Sequence, residues 1–564
     1  MSSVDNEQPV AHTGTADGRP SLPRPSASRR AREVAAGHWR DRMLDSAFRQ
    51  AAETYPSRIA VADGGTVLTY GEALAKVRSV SRALRDLGVM SGDVVSWQLP
   101  NWLEAYVTHF AVVSIGAVSN PIVSIYRHHE VEFILREAGS RVVITPDTFR
   151  GYGYASMIDD IRGSLPLLEH AVVTRPGKAG TEISFDDLMA TDASACDAPP
   201  SRTPDDPALL MFTSGTTARP KGAIHTHNTL DFEVQSMIEV FNLVDSDVVF
   251  MPSPLTHMTG LGYGVQLAPA LAAPLVLQDV WEPRKAMELI DSFRCSFTLL
   301  ATPFLHSILQ HPEQGSFDLT SMRVVASGGA DVPAPLMREI RGRLRCTASR
   351  AYGSTEMPTL TTTGPSEPAE KGATTDGRPI GPAAFRLVDD HGKTVGPGEV
   401  GEVIATGPEL FIGYLRAEDN QGAFTEDGWF HTGDLGSADA DGYLTIHGRK
   451  KDIILRGGEN ISVTEVEHIL LGHPSVRDIA IVAMPDPVMV ERACAYVVPS
   501  TGMTPTLEQL CEYLAERNLA KQKYPERLEL IDELPRTPAG KVQKFALRAK
   551  IAEQLRAASG SAPV

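Results

Sequence analysis

Apolar positions along the chain alternate between two spacings. Tyr70–Leu87 places Leu74, Val77, Val80, Leu84 and Leu87 three or four residues apart, which predicts an amphipathic helix. Val94–Leu99 is a short apolar run and reads as a strand. Trp102–Val113 predicts a second helix, and Gly116–Pro121 a strand with a turn. Val142–Thr145 predicts another buried strand. Strand and helix in alternation imply α/β layering with parallel strands. The pattern breaks over 175–207, which is rich in Pro, Asp, Ala and Ser and reads as a surface connection. It changes again over Gly377–Gly448, where short strands such as Phe385–Val388 and Gly401–Ala405 lie between Gly, Pro and Asp turns, predicting a small β-rich part. Beyond Arg449, a helix at Thr464–Leu471, strands at Asp478–Ala483 and Ala493–Val498, and a helix at Leu507–Asn518 predict a compact α+β unit.

The 564 residues are too many for one ordinary domain. Composition is that of a globular protein, with 42% hydrophobic and 22% charged residues. The formal charge of −17 argues against nonspecific nucleic-acid binding, since no general cationic field displaces counterions. Five cysteines (Cys196, Cys295, Cys346, Cys494 and Cys511) form no CxxC pair and read as free thiols in a reducing compartment. No run approaches the ~20 apolar residues that span a bilayer. The Ser-, Pro-, Ala- and Arg-rich start lacks an apolar signal core, so residues 1–37 read as a disordered leader and the expected location is cytoplasmic.

The candidate chemistry begins at 209–222, where the apolar run Leu-Leu-Met-Phe enters Thr213-Ser-Gly-Thr-Thr-Ala-Arg-Pro-Lys-Gly222. Glycine lets the backbone approach a phosphate, hydroxyls and loop N–H groups donate to its oxygens, and Lys221 supplies a point charge. The spacing is not GxxxxGK[ST]. By composition alone the loop reads equally as a plain turn. A helix follows, with Leu230, Val234, Met237, Ile238 and Phe241 on its apolar face.

This segment resembles the signature of adenylate-forming enzymes: acyl- and aryl-CoA synthetases, luciferases and nonribosomal adenylation domains. Four more segments resemble that family's motifs, in its order and with its gaps: Tyr352-Gly-Ser-Thr-Glu356, Thr432-Gly-Asp-Leu435, Gly448-Arg-Lys-Lys-Asp452 with Gly457-Gly-Glu-Asn-Ile461, and Pro535-Arg-Thr-Pro-Ala-Gly-Lys541. The resemblance spans roughly 38–550. It implies an α/β fold whose large N-terminal domain (38–449) has stacked α/β subdomains and a β-barrel-like part, and a small mobile α+β C-terminal domain (450–564).

The resemblance also implies roles. Thr213, Ser214, Gly215, Thr216, Thr217 and Lys221 would hold the phosphates of ATP. Thr355 would touch the α-phosphate and Glu356 would hold Mg²⁺. Gly328, Gly329 and Ala330, after the apolar run Val324–Ala326, would pack against adenine and substrate carboxylate, and Tyr352, Gly353 and Ser354 would also bind the nucleotide. Asp434 and Arg449 would bind the ribose. Lys541 would reach the α-phosphate and acyl carboxylate, Lys451 would act as hinge, and Gly457 and Gly458 would line a thiol tunnel. Without the motifs, Glu356 reads as a solvated turn residue, Asp434 as an Asx turn, and Arg449 and Lys541 as surface cations.

Met251-Pro-Ser-Pro-Leu-Thr-His-Met-Thr-Gly260 resembles the family segment that carries a gating aromatic, with His257 in that place. Thr256 stands where Phe is common. His257, Met258, Thr259 and Met357, with Gly329 and Tyr352, are the expected acyl wall. None is charged at neutral pH, and no Asp is placed to anchor an amino group. The implied activity is AMP-forming acyl-CoA synthesis on an alicyclic, medium-chain fatty or aromatic acid, with ATP, Mg²⁺ and coenzyme A. An enzyme loading a carrier protein's phosphopantetheine is the alternative, and a noncatalytic nucleotide sensor is a rival of another class. A homodimer is also open.

Overall fold

The computed structural model describes residues 20–177, 183–193, 202–213, 219–329, 332–452, 454–456, 459–461, 463–486, 490–517, 519, 521–536 and 542–559. Contacts divide the chain into two compact units, one of residues 1–385 with 405–431, the other of 386–404 with 432–564.

The first unit is built on two large sheets. The nine-stranded sheet has a parallel centre, in which Phe297–Leu300, Val324–Gly328 and Thr347–Tyr352 run side by side and Val249–Met251 joins their far edge. The eight-stranded sheet has a parallel set of Val118–Pro121, Val94–Trp97, Val142–Pro146 and His170–Thr174. Pro207–Thr213 joins that set parallel to Val118–Pro121, and Lys221–Thr226 returns antiparallel beside it. The predicted helices are present as Tyr70–Asp86, Leu103–Ser114 and His227–Phe241. Tyr70–Asp86 starts on a capping box, in which Thr69 and Glu72 satisfy each other's backbone N–H. Leu103–Ser114 is buried along nearly its whole length, which explains why its sequence is apolar all round.

Two expectations are corrected. Residues 1–37 are not a disordered leader throughout, because Ala27–Ala35 is a helix, capped by Ser26, whose hydroxyl accepts from the Arg29 N–H. Its arginines find partners that composition cannot reveal, as described below. The connection 175–207 contains a helix, Phe185–Ala190, whose Phe185 and Leu188 are buried against helix Tyr70–Asp86.

The second unit holds most of a four-stranded sheet in the order Ala384–Val388, Gly401–Thr406, Phe430–Ala438, Leu444–Arg449. It also holds a five-stranded sheet around the long pair Val476–Asp486 and Val490–Pro499. Helices Val463–Leu471 and Leu507–Glu516 seal one face of that sheet through Val466, Leu470, Leu510 and Leu514. Among the described residues, no helix is long and apolar enough to cross a membrane. Cys295, Cys346, Cys494 and Cys511 are free thiols.

Candidate functional site

Parallel strands present their carboxyl ends on one edge, and connecting loops there are the usual place for ligands in open α/β sheets. Three candidate segments leave the nine-stranded sheet at that edge. Val249–Met251 runs into the His257 segment, Val324–Gly328 ends at Gly328-Gly329, and Thr347–Tyr352 ends at Tyr352 and leads to Thr355, Glu356 and Met357.

Both glycines have steric reasons. A Cβ on Gly328 would lie 2.3 Å from the Ala351 carbonyl oxygen of the neighbouring strand, while Gly329 has φ +77° and open space around it. Gly353 is tighter still, since a Cβ there would lie 2.0 Å from the Pro358 oxygen. The loop therefore folds back on itself. The Ser354 N–H donates to the Met357 oxygen at 2.8 Å, the Met357 N–H donates to Ser354 Oγ at 3.2 Å, and the Leu360 N–H donates to the Tyr352 oxygen at 2.9 Å.

Thr355 and Glu356 are each 9% exposed, and their main chain is bonded from behind. His225, on strand Lys221–Thr226, donates from Nε2 to the Thr355 oxygen at 2.7 Å, with Nδ1 3.1 Å from Thr229 Oγ1. Burial holds that imidazole neutral, with its pKa pushed down to about 4. The Phe411 N–H donates to the Glu356 oxygen at 2.8 Å, and Tyr414 Oη donates to Glu356 Oε1 at 2.8 Å. The Lys221 ammonium lies 4.9 Å from the Tyr414 ring centroid and 3.7 Å from Asp419 Oδ1. Thr213 Oγ1 donates to the Lys221 oxygen at 3.4 Å, between the paired strands. Lysine, tyrosine and glutamate thus form one chain of contacts that the sequence motifs did not join, because Tyr414 lies outside all five.

Met258 and Met357 are buried, His257 and Thr259 half-buried, and Thr256 is buried. The His257 segment turns sharply, since a Cβ on Gly260 would lie 2.2 Å from the Pro254 oxygen. It opens into a π-helix, Leu261–Gln266, a form that is frequent at functional sites. From that π-helix, buried Tyr263 donates to Glu233 Oε1 at 2.7 Å and meets the Thr359 hydroxyl. Burial raises Glu233 to about 7. Glu409, fully buried and repelled by Glu233, is held well above the usual carboxylate range.

In the second unit, Asp434 and Arg449 face each other across paired strands, and Arg449 Nε donates to Asp434 Oδ1 at 2.6 Å. Gly433 has φ +69°, and the Asp434 N–H donates to Thr432 Oγ1 at 3.1 Å. Thr432 Oγ1 in turn donates to the Val403 oxygen at 2.7 Å. The backbone of Lys451 lies in a one-turn 3₁₀ segment, Lys450–Asp452, and Lys450 pairs with Asp390 at 3.0 Å and Glu402 at 3.1 Å. Ser214, Gly215, Thr216, Thr217, Ala330, Gly457, Gly458 and Lys541 lie outside the described residues.

Among the described residues, no group of three or more His, Cys, Asp or Glu side chains could hold a metal by itself. A single carboxylate such as that of Glu356 is the kind of donor that fits Mg²⁺, which takes one or two carboxylates and completes its shell with phosphate oxygens and water. Glu356 has one carboxylate oxygen engaged by Tyr414, which fixes the group and leaves the other oxygen to ligate.

Comparison with known proteins places these features in one group. The AMP-binding enzyme family matches residues 48–415, and the AMP-binding enzyme C-terminal domain matches 465–541. The medium-chain fatty-acid–CoA ligase of Escherichia coli (strain K12) is 36% identical over 531 residues, covering 93% of this chain and 94% of that protein. The 2,3-dihydroxybenzoate-AMP ligase of Bacillus subtilis (strain 168) is 32% identical over 522 residues, covering 92% and 95%. The crystal structure of an anthranilate CoA ligase in complex with anthranoyl-AMP superposes with a TM-score of 0.83 at 26% identity, covering 92% of this chain and 98% of that one.

Proposed function

The chain belongs to the AMP-binding enzyme family of adenylate-forming ligases, and we propose that it is an ATP-dependent acyl-CoA synthetase acting on an apolar carboxylic acid. The observation that carries this reading is Glu356, bonded from behind through its main chain and by Tyr414, whose ring lies beneath the Lys221 ammonium of the phosphate segment.

In the first half-reaction a substrate carboxylate oxygen attacks the α-phosphorus of ATP, and the bond to pyrophosphate breaks. Thr213, Ser214, Gly215, Thr216, Thr217 and Lys221 hold the phosphates, and Thr355 contacts the α-phosphate. Glu356 holds Mg²⁺, whose charge offsets that of the phosphates. Gly328, Gly329 and Ala330 pack against the adenine and the carboxylate, and Tyr352, Gly353 and Ser354 also bind the nucleotide. Asp434 accepts from the ribose hydroxyls beside Arg449. Lys541 places a cation where negative charge develops, a type of contribution usually worth several kcal/mol of barrier. In the second half-reaction a thiol attacks the acyl carbonyl and AMP leaves. We assign the functional boundary to 449/450, with Lys451 as hinge and Gly457 and Gly458 on the thiol path.

His257, Met258, Thr259 and Met357 form the acyl wall. The buried methionines support an apolar acid, as does the relative named for medium-chain fatty acids. A relative named salicyl-AMP ligase / salicyl-S-ArCP synthetase supports a second reading, in which the acceptor is a carrier-protein pantetheine.

ATP–pyrophosphate exchange over linear, alicyclic and aromatic acids tests the first step, and product formation with coenzyme A against a holo-carrier tests the second. Absence of exchange with every acid would refute the reading. Lys541→Ala is expected to abolish exchange yet spare thioester formation from supplied acyl-adenylate, and normal exchange would sink that role.

A further inference from the structure

The helix Ala27–Ala35 ends in no ligand and carries no motif, yet one of its side chains reaches the loop behind Glu356. The Arg29 guanidinium donates to four main-chain oxygens of one turn: Phe411 at 3.1 Å, Gly407 at 3.4 Å, Pro408 at 3.5 Å, and Leu410. Trp39 adds its indole N–H to the Pro408 oxygen at 3.1 Å and lies under the Arg29 guanidinium at 5.4 Å. Pro408 therefore accepts from two side chains of the N-terminal segment, while the Gly407 oxygen accepts both from Arg29 and from the Leu410 N–H at 3.2 Å.

The same turn holds Glu356. The peptide group joining Leu410 to Phe411 accepts from Arg29 through the Leu410 oxygen and donates to the Glu356 main-chain oxygen through the Phe411 nitrogen, and three residues on Tyr414 donates to the Glu356 carboxylate. The turn thus lies between the arginine and the glutamate. Hydrogen bonds in series polarise one another, so the guanidinium also strengthens the N–H that Glu356 receives. The alternative, that Arg29 only docks its helix, is weakened by the neighbouring side chain. Arg30 ties the same helix down independently, to Asp41 at 3.0 Å and to Asp205, without touching the turn.

Resting on the assignment of Glu356 to Mg²⁺, we propose that Arg29 is a positioning residue for adenylation, which sets the metal-binding carboxylate through the 407–414 turn, with Tyr414 as the last link. The part of the chain that composition marks as leader is then a component of the catalytic apparatus.

The test is the Mg²⁺ concentration for half-maximal ATP–pyrophosphate exchange, measured on the full chain at fixed ATP for Arg29→Ala, Tyr414→Phe, Arg30→Ala and Glu356→Gln. Losing a group that orients a metal ligand typically weakens metal affinity or activity by about tenfold or more. Tyr414→Phe, which keeps the ring beneath Lys221, is expected to raise the Mg²⁺ requirement about tenfold. Arg29→Ala, one layer further out, is expected to raise it roughly threefold, with the KM for the acid unchanged. Arg30→Ala is expected to lower the melting temperature without moving the Mg²⁺ curve. If Arg29→Ala shifts only the melting temperature, as Arg30→Ala does, the proposal is overturned. If Glu356→Gln leaves the Mg²⁺ curve in place, the metal assignment itself fails, which is a separate result.

Discussion

Gly353→Ala is the substitution whose consequence the structure fixes most closely. The added methyl would lie 2.0 Å from the Pro358 oxygen, 2.6 Å from the Pro358 carbonyl carbon and 2.7 Å from the Met357 oxygen. All three are main-chain atoms, so no rotamer change relieves the overlap. Cβ atoms essentially never approach closer than 3.0 Å, so the 2.0 Å contact must open by about 1 Å. The residues between the clashing ends are Ser354, Thr355, Glu356 and Met357, and the displacement falls on them. A misplacement of ~1 Å in reacting geometry costs on the order of a hundredfold in rate, or about 2.7 kcal/mol of barrier. We therefore expect Gly353→Ala to lower the kcat of ATP–pyrophosphate exchange about a hundredfold while circular dichroism remains that of a folded protein. Gly342→Ala is the matched control. It adds the same methyl inside helix Ala334–Leu344 with nothing within 4 Å, so activity is retained. A folded Gly353→Ala enzyme within twofold of the parent would refute the reasoning, because the loop would then absorb the methyl without moving Thr355 or Glu356.

Three further outcomes follow from the buried groups and the Asp434–Arg449 pair. Glu233 has its folded pKa raised from 4.5 to about 7, so its contribution is full below about pH 4.5 and is lost as pH rises through 7. Glu233→Gln, which can still accept from Tyr263, should gain in urea midpoint relative to the parent between pH 5 and pH 8, and a constant difference would contradict the assignment. His225 is displaced the other way, from 6.5 to about 4, so the parent loses stability relative to His225→Asn as pH falls below 6.5, by up to ~1.4 kcal/mol per pH unit. A gap between the two that widens in acid would argue against a neutral imidazole. Removing a charged hydrogen-bond partner costs ~1.5–3 kcal/mol, so Asp434→Ala should raise the KM for ATP by about tenfold or more and abolish discrimination against 2′-deoxy-ATP. Discrimination that survives would place the ribose elsewhere.

What the sequence disclosed depended on whether partners lie close along the chain. Helix Tyr70–Asp86 was legible because its apolar stripe and its capping residues, Thr69 and Glu72, are local. Strand Lys221–Thr226 was not, because Lys221, Gly222, His225 and Thr226 carry no apolar pattern, and only pairing with Pro207–Thr213 and Gly413–Tyr414 makes it a buried interior strand. Gly328 and Gly353 were recognisable as motif letters, but their reason is contact with main-chain oxygens, which leaves no trace in composition. Arg29 was least visible of all. Its partners are carbonyls some 380 residues away, and any residue type supplies a carbonyl, so nothing at 407–411 marks the site. The β-rich stretch 377–448 was legible as strands, but the assignment of 405–431 to the first unit, where Tyr414 reaches Glu356, depends on contacts that periodicity does not carry.

The two ends of the candidate site are built on different principles. At the phosphate end, main-chain oxygens of Thr355 and Glu356 receive hydrogen bonds from His225 and Phe411, and the glycines at 328 and 353 admit no side chain. That geometry is set by backbone and tolerates little change, as a step common to every acid requires. At the proposed acyl end, Met258 and Met357 present unbranched side chains whose shape adapts to what they contact, and Met258 leads into a π-helix, a form frequent at functional sites. The relatives named for a medium-chain fatty acid and for 2,3-dihydroxybenzoate match 93% and 92% of this chain, so one scaffold serves proteins named for very different acids. Under the proposed function, selectivity for the acid falls to side-chain volume and polarity at His257, Met258, Thr259 and Met357, and adenylation to the groups held by the loop around Thr355 and Glu356.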